Sequence, residues 1–313
     1  MNRVVAFLVL CSSLIASPVN GASAQTADQL KVTTTLPEFA EMAQAIGGDS
    51  VQATSLLKGI EDPHLVDTTP ALILKLMKSD LVVSAGLGLE SAWLNRALSK
   101  TGRPALQRGG PGNVELGNFV DVLEKPSGAV DRSQGDLHVE GNPHFNLSPK
   151  ALSQASNGLL KALIFLRPTE KARFEAGQKK FAAEMADVEA ATREALGEFA
   201  KSPSTLVMEY HREFVYFFAL YGLNSVGAIE EKPGLSPSSG RLAEVAKFAK
   251  SKNVKIAIGG TFAPRQHLRR FSELSGVPFA IVPTMVSVST PAAGSIRSVQ
   301  TTIAKAIAEN RPN

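Results

Sequence analysis

Cysteine is almost missing from this chain: Cys11 is the only one in 313 residues, and tryptophan occurs once, tyrosine three times and histidine five times. With its one thiol so near the N-terminus, the rest of the chain can build neither a disulfide nor a thiolate metal site. Charge of one sign is not concentrated anywhere, since the net +4 is the small difference between 33 Lys+Arg and 29 Asp+Glu spread along the sequence. That argues against a nucleic-acid protein, whose affinity needs a dense basic patch. No apolar run reaches the roughly 20 residues of a membrane-spanning helix, and there is no short-period repeat or low-complexity tract. What is present, 44% hydrophobic and 20% charged residues, is a globular composition. Its length predicts two domains of about 100 to 150 residues each.

The N-terminal segment reads as an export signal. Arg3 supplies the positive start, Val4 to Ile15 is almost wholly apolar, and Ala22-Ser23-Ala24 is a small-x-small cleavage site ahead of Gln25. Residues 1–24 are therefore expected to be a cleaved signal peptide, leaving a soluble mature chain without thiols in a periplasm. Leu10 stands before Cys11 where lipid attachment wants a small residue, and the apolar run continues past it, so a lipid anchor is not expected.

From there the hydrophobic period alternates between strand and helix. Lys31 to Thr35 reads as a strand, Leu36-Pro37-Glu38 opens a helix that Gly47-Gly48 closes, and Val51 to Leu57 is a second strand. Thr69-Pro70 starts a helix running to about Ser79, followed by strand Asp80 to Ser84. Residues 109–145 are rich in Gly, Pro, Asp and Asn with little apolar period and read as one long loop, a kind of segment that tends to be functional. From Thr169 to Phe199, Phe174, Phe181, Val188 and Ala195 recur every seven residues, with Gln178 and Thr192 as imperfections in the stripe. A helix of about 30 residues spans roughly 45 Å, more than one small domain needs, and is expected to be a rigid connector. Strand and helix then alternate again: strand Thr205 to Met208, helix Phe214 to Tyr221, strand Ser225 to Ala228, helix Pro237 to Lys250, strand Val254 to Ile258, helix Pro264 to Leu274, strand Phe279 to Val282, and a last helix to Glu309.

The expected fold is α/β, with two lobes, each a mostly parallel sheet flanked by helices, joined by one long helix. The boundaries are 1–24 signal, 25–168 first lobe, 169–202 connecting helix and 203–313 second lobe.

Ligands of parallel sheets gather beyond the carboxyl ends of the strands, and the histidines lie at such places. His64 follows strand Val51 to Leu57, His211 follows strand Thr205 to Met208, and His144 closes the long loop just ahead of the next helical segment. Imidazoles meeting in a cleft suit zinc and other late divalent metals. Trp93 and the cluster Phe214, Tyr216, Phe217 and Phe218 read as a hydrophobic wall beside that cleft. Gly109 to Gly112 lacks the Lys-Ser/Thr of a phosphate loop, and Ser236 to Gly240 reads as a helix cap.

These residues carry a resemblance. Asp62-Pro63-His64, then Thr69-Pro70, Ser79 to Val83 and Gly86-Leu87-Gly88-Leu89-Glu90, resemble the periplasmic metal-binding proteins of zinc and manganese ABC transporters, the zinc-uptake solute-binding family (cluster A-I). Gly141-Asn142-Pro143-His144-Phe145 with Leu147-Ser148-Pro149 is similar to its second histidine motif, although the family commonly has Asp where Ser148 stands. Tyr210-His211 with Tyr216-Phe217-Phe218 and Tyr221-Gly222-Leu223 is similar to the third, and Glu230 to Ser238 to a run found in one branch. The resemblance implies two α/β lobes bridged by a long helix, and His64, His144 and His211 as metal ligands. It also implies Zn²⁺ as transported cargo with Mn²⁺ as the alternative, a monomer, and an inner-membrane ABC permease as partner. The family's usual carboxylate ligand lies in the loop ahead of the last helix, and here residues 283–298 contain no Asp or Glu. The fourth position is left to water or a nearby Glu first, Glu230 among them, with His138 and His267 behind. His138 is otherwise an accessory metal collector or a solvated loop residue, and His267, in the basic run Arg265 to Arg270, a surface residue.

The expected function is capture of zinc in the periplasm and delivery to the permease, with no chemistry. Manganese or iron(II) is the alternative cargo. A secreted zinc hydrolase is the alternative of another class, since three histidines and a water also make a catalytic site. It would need Glu209 or Glu230 as general base, there being no His-Glu-x-x-His motif.

Overall fold

The computed structural model describes residues 29–126, 138–201, 205–231 and 234–309. The signal peptide expected at 1–24 lies outside these residues. Among the described residues, eight strands form two four-stranded sheets, both wholly parallel. In the first, β1 (Leu30–Thr34), β2 (Val51–Ser55), β3 (Leu81–Ser84) and β4 (Asn113–Glu115) stand in the order β2-β1-β3-β4. In the second, β5 (Leu206–Glu209), β6 (Asn224–Ala228), β7 (Ile256–Gly260) and β8 (Phe279–Val282) take the matching order β6-β5-β7-β8. Helices cover both faces, so inner strands such as Leu81–Ser84 and Ile256–Gly260 are buried at every position.

The first lobe carries α1 (Pro37–Gly47), α2 (Pro70–Met77), α3 (Leu94–Ser99) and α4 (Pro149–Leu166); the second carries α6 (Val215–Tyr221), α7 (Ser239–Ser251), α8 (Arg265–Ser275) and α9 (Ile296–Glu309). The starts of α2, α4 and α7 are written in side-chain caps. Thr69, Ser148 and Ser238 accept hydrogen bonds from the backbone N–H of Leu72, Ala151 and Arg241, and proline follows Thr69 and Ser148 at the first helical position.

Between the lobes runs α5 (Lys171–Leu196), 26 residues long and so roughly 39 Å at 1.5 Å per residue. It is shorter than the stripe from Thr169 to Phe199 suggested, because single 3-10 turns, Pro168–Glu170 and Gly197–Lys201, replace its two ends. The buried face is Phe174, Phe181, Met185, Val188, Thr192 and Leu196. Thr192 fits there because its hydroxyl donates to the Val188 carbonyl at 2.7 Å, which removes the cost of burying it. The helix packs on α1 and α4 of one lobe and α9 of the other. One continuous core therefore runs from Val32 and Phe39 through Phe181 to Phe217 and Ile303.

At Gly177, α5 and α1 touch. A Cβ there would stand 2.3 Å from the Ile46 carbonyl oxygen, closer than backbone can yield. Gly177→Ala is expected to destabilise the chain by about 1–3 kcal/mol despite alanine's better helix propensity. A denaturation midpoint equal to or above that of the parent chain would contradict this packing.

The reading of 109–145 as one loop needs correction. Asn113–Glu115 joins the first sheet as β4 beside β3, and Leu116–Phe119 follows as a 3-10 turn against α4. With one apolar residue in three, β4 is too short to show a period.

Candidate metal centre

Both sheets aim their carboxyl ends at one cleft, as parallel strands with matching order do when two such lobes face each other. The loop after β2 bears His64, the turn after β5 bears His211, and the crossing segment that returns to α4 bears His138 and His144. A cavity of about 220 Å³ opens there, lined by Asp62, His64, His144, His211, Glu213 and Glu230 among others.

The three histidines expected to meet do meet. Ring centres of His64 and His144 are 5.2 Å apart, those of His64 and His211 5.6 Å, and those of His144 and His211 5.4 Å. Imidazoles bound tetrahedrally to one zinc through nitrogens at about 2.0–2.1 Å have ring centres roughly 5 Å apart. His138 stands with them, 5.4 Å from His64 and 6.1 Å from His144. The Nε2 atoms of His64, His138 and His144 are buried without a hydrogen-bond partner, a condition that costs about 1–3 kcal/mol per group and that a bound cation relieves. His267 goes elsewhere: its Nδ1 lies 2.9 Å from the Tyr210 hydroxyl, against whose ring it stacks.

The rings of His64 and His211 are held from behind, and His144 is held through its backbone. The Asp62 carboxylate is 2.9 Å from His64 Nδ1 and accepts from the His64 backbone N–H as well. Trp93 Nε1 donates to the Pro63 carbonyl at 2.9 Å, so the tryptophan read as a wall also fixes the His64 turn. Glu230 Oε2 stands 3.0 Å from His211 Nδ1. Asn142 Oδ1 accepts from the His144 backbone N–H, and Asn142 Nδ2 donates to the Arg212 carbonyl across the cleft. The Tyr216 hydroxyl donates to the Asn142 carbonyl at 2.8 Å. Carboxylates behind His64 and His211 orient Nε2 toward the cleft and raise ligand basicity.

The same arrangement sets the protonation of the rings. Burial, and then the neighbouring His64 and His211, pull His138 down to about 3 and His144 well below the ordinary histidine value. At His211 burial also disfavours the cation, but the Glu230 hydrogen bond and the carboxylates of Glu213, Glu230 and Glu209 outweigh it, and its pKa is raised. Glu213, buried and accepting from the Gly260 N–H at 2.7 Å, is a part of the site that sequence reading missed. Its signal is faint: an acid two residues after a strand-end histidine. Asp62 and Asn142 were visible as motif letters whose roles only the fold assigns.

Two carboxylates considered for direct or catalytic roles are already engaged. Glu209 is buried beneath the site, accepting from the Phe214 N–H at 3.0 Å and the Ser225 hydroxyl at 2.6 Å, and Glu230 is taken by His211. Glu230→Gln keeps an acceptor for Nδ1 but removes the charge, and is expected to weaken binding of a late divalent metal by about 10- to 100-fold. Equilibrium competition titration checks this, and unchanged affinity would remove Glu230 from the site's support.

The profile of the family described as ZnuA, zinc-uptake complex component A, periplasmic, matches residues 32–310. The zinc-binding lipoprotein AdcA of Streptococcus pneumoniae (strain ATCC BAA-255 / R6) is 23% identical over 251 residues, covering 79% of this chain and 46% of that protein. The chain thus spans about half of AdcA's length. The iron ABC transporter substrate-binding lipoprotein MtsA of Streptococcus pyogenes serotype M1 is 24% identical over 280 residues, 88% of this chain and 84% of that protein. Among solved structures, the binding protein FpvC from Pseudomonas aeruginosa in complex with Mn²⁺ superposes with a TM-score of 0.75 at 18% identity, covering 90% of this chain and 98% of that one. That likeness concerns the fold.

Proposed function

Because this chain belongs to the periplasmic zinc-uptake component A family, we propose that it is an extracytoplasmic solute-binding protein that captures a divalent metal ion, zinc first, between its lobes and delivers it to an ABC permease in the membrane. It is exported by the apolar segment at 1–24, acts as a monomer, and holds its cargo through His64, His144 and His211. The observation that carries the reading is the convergence of three imidazoles from both lobes, two of them with a buried, unpartnered Nε2.

The relatives carry by name zinc, iron and manganese, so the cargo has to be argued from this chain's own donors. Nitrogen donors favour zinc over manganese, which takes carboxylate and water oxygen more readily. Binding without turnover is supported by the engagement of Glu209 and Glu230 in other hydrogen bonds. The shared core along α5 supports capture by small loop and lobe adjustments in place of a wide hinge.

Titration of the whole chain with Zn²⁺ and with Mn²⁺ tests the proposal. It predicts one tightly held zinc per chain, displaced by manganese only at large excess. A chain that takes up neither ion contradicts it.

A further inference from the structure

We propose that Nε2 of His138 is the fourth ligand, so that the cargo is held by four imidazoles with no coordinating oxygen, and that this donor set is what discriminates against manganese. The inference rests on the metal-capture reading above and names the residue that completes the same site.

His138 is not a strand-end residue. It reaches the cleft from the segment that precedes the His144 turn, and three independent features hold it there. The ligand atoms of His64, His138 and His144 lie within 4.8 Å of one another, a spread that a small contraction brings to the separations of a shared tetrahedral ion. Its Nε2 is buried and unpartnered, the same condition as at His64 and His144. The surroundings are also shaped for it. Gly88 takes φ +86°, and a Cβ at that position would stand 3.1 Å from His138 Nδ1, so the Gly86-Leu87-Gly88 turn forms a cradle that only glycine leaves open to the ring. On the other side, the Gly141 N–H donates to the His138 carbonyl at 3.1 Å. A Cβ on Gly141 would strike Val122 Cγ1 at 2.3 Å, which pins the turn against the segment leading in.

Among the described residues, the acids lining the cavity are engaged elsewhere. Asp62 and Glu230 bond the outer nitrogens of His64 and His211, Glu213 bonds the Gly260 amide, and residues 283–298 hold no acid. The double charge of the cargo is met by Asp62 and Glu230 behind the rings and by Glu213 in the cavity wall. A nitrogen set ranks zinc, copper and nickel far above manganese, whereas replacing one nitrogen by a carboxylate oxygen moves the site toward manganese.

The test compares the whole parent chain with its His138→Ala, His138→Asp and His64→Ala variants, each checked for folding by circular dichroism, using Zn²⁺ and Mn²⁺ affinities and the visible absorption of the Co²⁺-loaded protein. We expect His138→Ala to lose at least about tenfold in zinc affinity and to show an altered Co²⁺ ligand-field band, and His138→Asp to lower the zinc-over-manganese preference at least about tenfold. If both His138 variants match the parent in affinity, preference and cobalt spectrum while His64→Ala loses zinc, the fourth ligand is not His138 and the three-histidine reading stands. If His64→Ala also matches the parent, both readings fall together.

Discussion

Alanine at His144 is expected to weaken zinc binding by at least about a hundredfold, close to 2.7 kcal/mol, and alanine at His64 or His211 by at least about tenfold. His144 is the most enclosed of the three rings, 6% exposed. Its backbone is set by Asn142, which accepts from the His144 N–H and whose own carbonyl accepts from the Tyr216 hydroxyl. No neighbouring oxygen is free to replace it, since the acids near the cleft are committed to His64, His211 and Gly260. At His64 and His211 the carboxylate behind the ring is released by the substitution, and Asp62 or Glu230 can turn partway toward the ion, which reduces the loss. Competition titration against a chelator of known affinity separates these cases. Equal binding by the parent chain and all three variants would remove the site from this cleft.

Acidification is expected to release zinc, but less steeply than four histidines in water would. Only neutral imidazole binds a metal, so a proton on any ligand competes with the cargo. His138, held at about 3, takes up no proton between pH 7.5 and 5, and burial with the neighbouring His64 and His211 also disfavours a proton on His144. His211, raised above 6.5 by carboxylates that overcome its burial, is protonated in the metal-free chain as pH falls, and zinc must displace that proton. The logarithm of the affinity should therefore begin to fall above pH 6.5 and decline by at most about three units per pH unit, not four. Glu230→Gln keeps an acceptor for His211 Nδ1 but removes the negative charge that supports the His211 cation, and should move the onset of the decline to lower pH. Affinities measured from pH 8 to 5 check the sign and the slope. No weakening at pH 5, or a slope near four, would contradict the protonation scheme.

Much of this architecture is readable in one dimension because it is local. Proline at the first turn after Thr69 and Ser148, the seven-residue recurrence from Phe174 to Val188, and the alternation of short apolar runs with helical stretches all act within a few residues of themselves. They place His64 and His211 at equivalent strand ends. What escapes is long-range or too brief for a period. β4, three residues with only Val114 apolar, has no pattern to detect, and it exists because β3 offers it an edge. The close approach at Gly177 is set by the Ile46 carbonyl, far away along the chain, which no local pattern shows. His138 sits in a run without hydrophobic period, and nothing along the chain states that this run folds back on Gly88, fifty residues earlier. Glu230 was legible as an acid near the metal, but whether it touches the ion or the far side of His211 is a matter of a few ångströms that only the fold decides.

The most direct measurement of the central claim is the zinc K-edge X-ray absorption spectrum of the loaded protein, which counts the atoms around the ion and recognises imidazole by scattering from the outer ring carbons. The account predicts a single shell of nitrogen at about 2.0–2.1 Å with outer-ring scattering from at least three imidazoles. A first shell dominated by oxygen, or imidazole scattering from no more than one ring, would contradict it.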